Sequence, residues 1–295
     1  MRTLLAALVP LLLVPAASSA AFGAPGAGPK KAGGDFHPGP VGKAPPPCGA
    51  KLFPLVEGNS WTYGQVAAMT APREDLARLT PIAPQKIVIT VKKVETQGKG
   101  ADEVTVATLE EKVTTEITKD PKHPVLDERT VASTITCNKT KFEISPESYF
   151  FSGEPGGAFG VVFDDFKRTK DTTLKFVNGA IGEGEWREDI VAHFTRTPTP
   201  NSGVKLDSGK LELERKWQPG NPERINTKLG VYKAEHLGVL ITGRITLDHP
   251  TTPDNKAQEL PANWLNQIWL AEGVGVIQTL DQYAHEYQLV DATLK

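Results

Sequence analysis

The feature that most constrains the fold of this chain is a series of segments in which apolar and β-branched residues alternate with polar ones. Residues 210–217 read KLELERKW, so that Leu211, Leu213 and Trp217 lie on one side of an extended chain, while the charged residues at positions 212, 214 and 216 lie on the other. This period of two predicts a half-exposed antiparallel strand. Further segments with strand character, many of them bounded by Gly, Pro or Asn, occupy residues 86–94, 102–109 with an extension over 113–117, 130–137, 189–196, 230–248 (two strands), 268–280 and 283–294.

Helix signals are sparse. Residues 72–79 could form two turns with Thr70 as a cap, and residues 261–267 at most one short turn. We see no repeat of 20–50 residues of the kind that marks propellers and solenoids. The sequence therefore predicts a mainly β fold, in which a single curved antiparallel sheet forms a half-barrel or barrel with one or two short helices.

The N-terminus has the layout of a secretory signal peptide. Arg2 precedes an apolar run over residues 4–14 that is too short to span a bilayer comfortably, and small residues follow up to Ala20. We predict a signal peptide over residues 1–20, with Ala21 as an alternative cleavage point. Residues 21–47 are rich in Pro and Gly and predict a disordered linker, which leaves residues 48–295 as a single β-rich domain.

These observations predict export to the periplasm or the extracellular space, and a mature chain that does not span the membrane. The formal net charge of −2 gives no electrostatic footprint for nucleic acid or for an anionic membrane surface. The chain has two cysteines, Cys48 and Cys137. In an exported protein two thiols most often pair, so we predict a Cys48–Cys137 disulfide. The alternative, a redox or metal-binding thiol pair, lacks the spacing and the clustered histidines that it needs.

Candidate catalytic features are weak. The glycine-dense residues 152–160 lack the ending of a phosphate loop and indicate a turn. Adjacent Asp164 and Asp165 would point to opposite faces of an extended chain, which favours a solvated loop or helix cap. The histidines have no metal-ligand spacing, and His193 and His285 are expected to be structural. We predict no catalytic, metal or cofactor-binding residue and no cofactor, although a catalytic triad assembled from distant positions stays open.

Two short segments near the ends of the predicted domain are more distinctive. Residues 53–63 read FPLVEGNSWTY and residues 268–277 read IWLAEGVGVI. Together they resemble paired motifs of uncharacterised exported bacterial β-rich proteins and lipoproteins, although this chain lacks the lipid-attachment cysteine of many of them. The positions that carry the resemblance are Pro54, Gly58, Asn59, Trp61, Tyr63, Trp269, Gly273 and Gly275. Turn-forming Gly58 and Asn59 and strand glycines suggest a structural role, with Trp61 and Trp269 in the core.

The resemblance implies a β-rich cell-envelope protein of no established activity, and some such proteins are similar to the half-barrel of lipoprotein carriers. We therefore expect a secreted or periplasmic non-catalytic protein that binds an apolar small molecule, a lipid or an envelope protein in a concave face. Two alternatives stay open, a secreted hydrolase and a structural surface protein without a pocket. A large apolar cavity would favour binding, whereas a histidine bonded to an acid and a serine in a cleft would favour hydrolysis.

Overall fold

The alternating segments pair into antiparallel strands, because strand pairing gives their backbone N–H and C=O groups hydrogen-bond partners. Pairing also places their apolar side chains together on one face. The computed structural model describes residues 39–43, 51–68, 83–116, 122–123, 125–138, 142–145, 148, 161–168, 176–177, 180–181, 186–196, 208–248, 258–281 and 285–295. All of them fall within one unit, His37–Lys295.

These residues form fifteen strands. The first five are β1 (Ser60–Ala68), β2 (Lys86–Gln97), β3 (Val104–Glu116), β4 (Leu126–Cys137) and β5 (Phe142–Ile144). The next five are β6 (Val161–Arg168), β7 (Phe176–Val177), β8 (Ala180–Ile181), β9 (Trp186–Arg196) and β10 (Ser208–Pro219). The last five are β11 (Glu223–Thr227), β12 (Gly230–Leu247), β13 (Gln258–Ala271), β14 (Gly275–Leu280) and β15 (His285–Thr293). The helical content of the described residues is one 3₁₀ turn, Gly100–Asp102.

Thirteen of the strands form one antiparallel sheet in the order β5-β4-β3-β2-β1-β15-β14-β13-β12-β10-β9-β6, with β11 also paired to β12. Strands β7 and β8 pair with each other. The first and last of the described strands, β1 and β15, therefore lie side by side in the middle of the sheet. The end strands β5 and β6 are not joined by a described ladder, so the sheet is open, and the prediction of a mainly β, single antiparallel sheet is confirmed.

One face of this sheet, which we call the inner face, carries the buried side chains. Directly paired residues point to the same side of a sheet, so a chain of pairs traces this face from strand to strand. Representative pairs are Val113–Ile87, Ile87–Tyr63, Tyr63–Leu289, Tyr287–Thr279, Thr279–Ile268, Ile268–Leu237, Val239–Trp217, Arg215–Glu188 and Phe194–Phe163.

The main hydrophobic core lies on β1–β5 and β10–β15, together with Leu52, Phe53 and Leu55 ahead of β1. Strand β11 approaches β14 and β15, which are not its sheet neighbours, so the sheet curves over this core. None of the described residues forms a helix of the length and apolar character that crossing a bilayer requires.

Besides residues 268–280, which a turn at residues 272–274 divides between β13 and β14, three local predictions differ from the structure. Residues 261–267, expected as a turn, belong to β13, where Pro261 pairs with Arg244 of β12. Strand β14 joins β13 only from Gln267 onward, so among the described strands Pro261 has β12 as its one neighbour, and its missing N–H costs no described ladder bond on the other side. Residues 230–248, expected as two strands, form one continuous β12 that pairs with β11 and then with β10.

The third difference concerns the paired carboxylates. Asp164 and Asp165 lie in β6 rather than in a loop or helix cap, at a bulge between Asp164 and Lys167, and Asp165 has φ 51°. The bulge resets the alternation, so that the rings of Phe163 and Phe166 meet edge to face with centroids 6.4 Å apart. Residues 72–79, the other predicted helical segment, lie outside the described residues.

Candidate functional site

The two end motifs meet in the structure through side-chain to backbone hydrogen bonds. Strand β14 pairs with β15 only over Gln278–Leu280, so the carbonyls of Val274 and Val276 lie beyond that ladder. Trp61 Nε1 donates to Val274 O at 2.5 Å, and Tyr63 Oη donates to Val276 O at 2.8 Å. The aromatic side chains of β1 thus satisfy carbonyls that lie 213 positions away in the sequence.

Asn59 joins three parts of the chain. Its Nδ2 donates to Pro54 O at 2.7 Å, and its Oδ1 accepts from the backbone N–H of Lys295 at 3.0 Å. Its own carbonyl accepts from Val91 N of β2 at 2.9 Å. Asn59 is fully buried, so these bonds are shielded from water, and we assign it the role of clamping the domain entry to the last residue.

Two motif glycines occupy positions where a side chain would be strained. Gly58 has φ 84° immediately before Asn59 and lies against the side chain of Lys295. Gly275 has φ 101°, and a Cβ there would lie 3.4 Å from Trp61 Nε1. The backbone of β14 can therefore approach the Trp61 ring closely because no side chain intervenes.

Residues 39–43, which fall inside the stretch predicted as linker, are hydrogen-bonded to the domain. Gly42 N donates to Gly273 O at 2.8 Å, and Lys43 N donates to Lys295 O at 2.7 Å. Gly273, the third motif glycine, lies in the turn between β13 and β14 and anchors this segment. The entry segment and the last residue of the chain are thus held at one end of the sheet.

Trp269 lies on β13 and is 7% exposed. The imidazole of His236 stacks on its ring with centroids 4.8 Å apart and planes 8° from parallel. His236 is fixed in turn by Gln267, whose Oε1 lies 3.1 Å from His236 Nε2. Every motif position of the described chain thus contributes to packing or to the hydrogen bonding of the backbone.

Cys137 is buried on β4 and pairs with Phe142 of β5. The Phe142 ring packs on Phe53 with centroids 4.6 Å apart, and Phe53 follows Cys48 by five positions. Cys48 lies outside the described residues, so the disulfide stays a prediction.

A second apolar cluster, which we call the edge cluster, lies on the inner face near end strand β6. Its ladder pairs are Phe163–Phe194 and Leu211–Ile245, and Gly209 leaves room for the Phe194 ring above it. Three members are buried and three are only partly buried, whereas most members of the main core are buried. The buried members are Phe194, Leu211 and Leu247, and the partly buried ones are Phe163, Leu213 and Ile245.

A buried ion pair separates much of the edge cluster from the main core. Arg215 Nη1 lies 3.1 Å from Glu188 Oε1 across the β10–β9 ladder, with side chains 9% and 7% exposed. The guanidinium lies 5.4 Å from the centroid of the Trp217 ring. Leu213 is the residue that packs against both apolar clusters.

Two further acidic groups are buried on the inner face. Glu111 accepts a hydrogen bond from Ser133 Oγ at 2.5 Å. Asp281 accepts from the backbone N–H of His285 at 2.9 Å, and its second oxygen lies 2.9 Å from His285 Nδ1. The side chains of Asp281 and His285 are 1% and 9% exposed.

The Asp281–His285 pair supplies an acid and a base of the kind that the hydrolase alternative requires. Both side chains are almost fully buried and flank the connection between β14 and β15, and the described residues place no serine hydrogen bond on the imidazole. Burial, and then the charge of Asp281, raises the pKa of nearby Tyr287 well above its ordinary value. Burial, and then the charge of Glu111, does the same to the pKa of Tyr63, so both hydroxyls stay neutral near pH 7.

His193, the other strand histidine singled out from the sequence, is partly exposed at the β6 side. Its Nε2 lies 2.8 Å from Asp248 Oδ2, and its Nδ1 lies 3.8 Å from Asp164 Oδ2. Within the described ranges, no group of three or more His, Cys, Asp or Glu side chains is placed to hold a metal ion.

Sequence reasoning missed the buried ion pair, although β10 carries a signal for it. Arg215 occupies the same side of the strand as Leu213 and Trp217, where the alternation calls for an apolar residue. Glu111 similarly interrupts the apolar positions Leu109 and Val113 of β3. A charged residue at an inward position of an alternating strand is the pattern that could have found both.

No protein-family model matches the sequence, and no curated protein matches it significantly. Among solved structures, the chain is similar to a candidate lipoprotein from Parabacteroides distasonis, with a TM-score of 0.49 and 13% identity over 82% of this chain and 98% of that one. It is also similar to a candidate exported protein with a YmcC-like fold from Bacteroides fragilis, with a TM-score of 0.45 and 11% identity over 82% of this chain and 98% of that one.

Proposed function

We propose that this protein is an exported, non-catalytic binding protein that holds an apolar ligand against the edge cluster on the inner face of its sheet. Export is supported by the charged and apolar leader at residues 1–20. The ligand is a lipid or another apolar small molecule, and the site is the surface formed by the edge cluster between β6 and β12.

The observation that carries the proposal is the partial separation of the edge cluster from the main core, with Leu213 packed against both. A core that served folding alone would gain from being continuous, because apolar burial stabilises in proportion to area. Instead, Glu188 and Arg215 interrupt it, and a buried ion pair of this kind is often no more stabilising than apolar residues of similar volume. Three cluster members keep part of their apolar surface uncovered, as a ligand surface requires.

The openness of the sheet adds a route to this surface. The edge cluster lies beside end strand β6, which pairs only with β9 among the described strands. A ligand can therefore reach the inner face at this end without opening a closed barrel.

Binding of N-phenyl-1-naphthylamine, whose fluorescence rises in apolar surroundings, tests the proposal on the exported protein. Two substitutions on the same strand form a matched pair. Ile245→Gln places an amide in the edge cluster, whereas Leu240→Gln changes an outward side chain that is 37% exposed.

We expect saturable binding by the wild type, a roughly tenfold loss of affinity in Ile245→Gln, and little change in Leu240→Gln. Thermal unfolding of each variant shows that it is folded. Absence of saturable binding, or equal losses in the two folded variants, would contradict the proposal, and the first outcome would favour a structural surface protein.

A further inference from the structure

We infer that the ligand carries no net charge: it is a neutral lipid, with an apolar chain and uncharged ester, amide or hydroxyl groups, rather than a fatty acid anion or a long-chain amine. This inference rests on the proposed function and names the ligand class of the same site. It follows from the way in which buried charged side chains of the inner face are paired with each other.

Each buried ionisable acid or base of the described inner face already has a partner within the chain. Glu188 faces Arg215 at 3.1 Å, and Asp281 faces His285 at 2.9 Å. Glu111 accepts the hydroxyl hydrogen of Ser133. The ion pair beside the edge cluster is thus balanced within the chain and needs no ligand charge.

A charged ligand would disturb this balance. A carboxylate near the edge cluster would compete with Glu188 for Arg215, and an ammonium group would compete with Arg215 for Glu188. Either way one charge would be left buried without compensation, which is far more costly than leaving the pair intact. A neutral polar group avoids this cost, because it needs only hydrogen bonds.

Charged side chains near the edge cluster on the opposite side of the strands have partners within the chain as well. Asp248 lies 2.8 Å from His193 Nε2, and Lys210 Nζ contacts Glu212 at 2.9 Å.

Three probes with the same oleoyl chain test the inference: monoolein, oleate and oleylamine, each displacing N-phenyl-1-naphthylamine from the wild-type protein at neutral pH and below its aggregation concentration. We expect monoolein to displace the dye at a concentration roughly tenfold lower than either charged probe. Displacement by oleate or oleylamine at an equal or lower concentration overturns the inference and leaves the proposed function standing. Failure of all three to displace the dye overturns both.

A variant then tests whether the Glu188–Arg215 ion pair causes this preference for a neutral ligand. Glu188→Gln leaves Arg215 without its countercharge, so oleate should gain at least about tenfold relative to monoolein. Glu214→Gln, on the outward side of β10, is the matched control and should leave the ranking unchanged. An unchanged ranking in folded Glu188→Gln protein would overturn the role given to the ion pair. If that variant does not fold, the wild-type ranking still decides the ligand class.

Discussion

At the scale of single residues, Trp61 and Tyr63 show how a side chain can complete a sheet. Their polar atoms take the places that a backbone neighbour would fill at Val274 and Val276. Because both rings are also fully packed, each contributes apolar burial and backbone satisfaction at one position. This explains why the tryptophan and the tyrosine are two positions apart, since side chains so spaced share one face of a strand.

The two contributions of Trp61 can be separated by substitution. We expect Trp61→Ala to lower the free energy of unfolding by about 3–5 kcal/mol, because it removes a fully buried ring. Trp61→Phe keeps most of the volume but leaves Val274 O without its donor, and should cost about 1–3 kcal/mol.

Equilibrium urea unfolding measures both values. Thr62→Ala, at the neighbouring position that faces away from the core, is the control and should change stability little. Wild-type stability in Trp61→Ala would refute the assignment of Trp61 to the core.

The buried tyrosines make a second residue-scale prediction. Burial raises the pKa of Tyr63 and Tyr287 in the folded state above the value of 10.0 that applies to an exposed tyrosine. Their contribution to stability is therefore complete below about pH 10 and is lost as pH rises further, since only the unfolded chain releases these protons readily.

An absorbance titration at 295 nm should show these two hydroxyls ionising together with unfolding, and Tyr63→Phe should remove part of that late step. Reversible ionisation of every tyrosine near pH 10, with the fold intact, would contradict the prediction.

At the scale of elements, β12 shows what alternation can and cannot reveal. It is 18 residues long and pairs with β13 along one side, and with β11 and then β10 along the other. The period of two predicted strand conformation here, but a single continuous strand was not predicted, because the sequence does not state where its partners change. The turn predicted at Pro261 was wrong for a similar reason. A proline in a strand loses a backbone hydrogen bond only where another strand would pair with its N–H, and that depends on the assembled sheet.

On the outward side of β10 and β12, Lys210, Glu212 and Arg244 form a row of ion pairs, which we call the charge ladder. Its contribution to stability should depend on pH. Hydrogen bonds from Arg244 and Lys210 to Glu212 lower its pKa from 4.5 to about 2. The stabilisation is therefore present above about pH 4.5 and is lost as pH falls toward 2. Because the carboxylate is exposed, the effect should be small and weakened by salt.

Thermal unfolding of the wild type and Glu212→Gln between pH 2 and 7 checks this. The difference in Tm should be largest near neutrality and should vanish near pH 2. Glu235→Gln on β12 is a control outside this ladder, and a Glu212→Gln difference that persists at pH 2 would contradict the assignment.

At the scale of the whole molecule, the sequence predicted the class of fold but neither the strand order nor the candidate site. Alternation is local, so it indicates that strands exist, whereas the β1–β15 pairing and the edge cluster arise from contacts between distant segments. Arg215 illustrates the limit. Its inward position could be read from β10, but its partner Glu188 could be found only once β9 was placed beside it.

The predicted Cys48–Cys137 disulfide also belongs to this scale. Phe53 reaches β5 at Phe142, next to Cys137, and five residues span at most about 17 Å, so the two cysteines can meet. A closed loop of this size should contribute up to about 4–5 kcal/mol. Thiol titration in denaturant should find none without reductant and two after reduction, and reductant should lower the Tm. A double Cys48→Ser, Cys137→Ser variant should be insensitive to reductant, and two free thiols in the unreduced protein would refute the bond.

The adjacency of β1 and β15 has a consequence for the timing of folding. Strand β1 is the first described strand to be synthesised, but it can pair with β15 only after the last described strand has been made. The hydrogen bonds of Trp61 and Tyr63 likewise require Val274 and Val276, each of which is synthesised 213 residues later. Contacts so distant in sequence form slowly, because the intervening chain must first be brought together. In a nascent chain, the β1–β15 ladder therefore stays unformed until residues 285–293 have been synthesised. This delay would help a translocation channel that accepts only unfolded polypeptide, and it would postpone folding to the far side of the membrane.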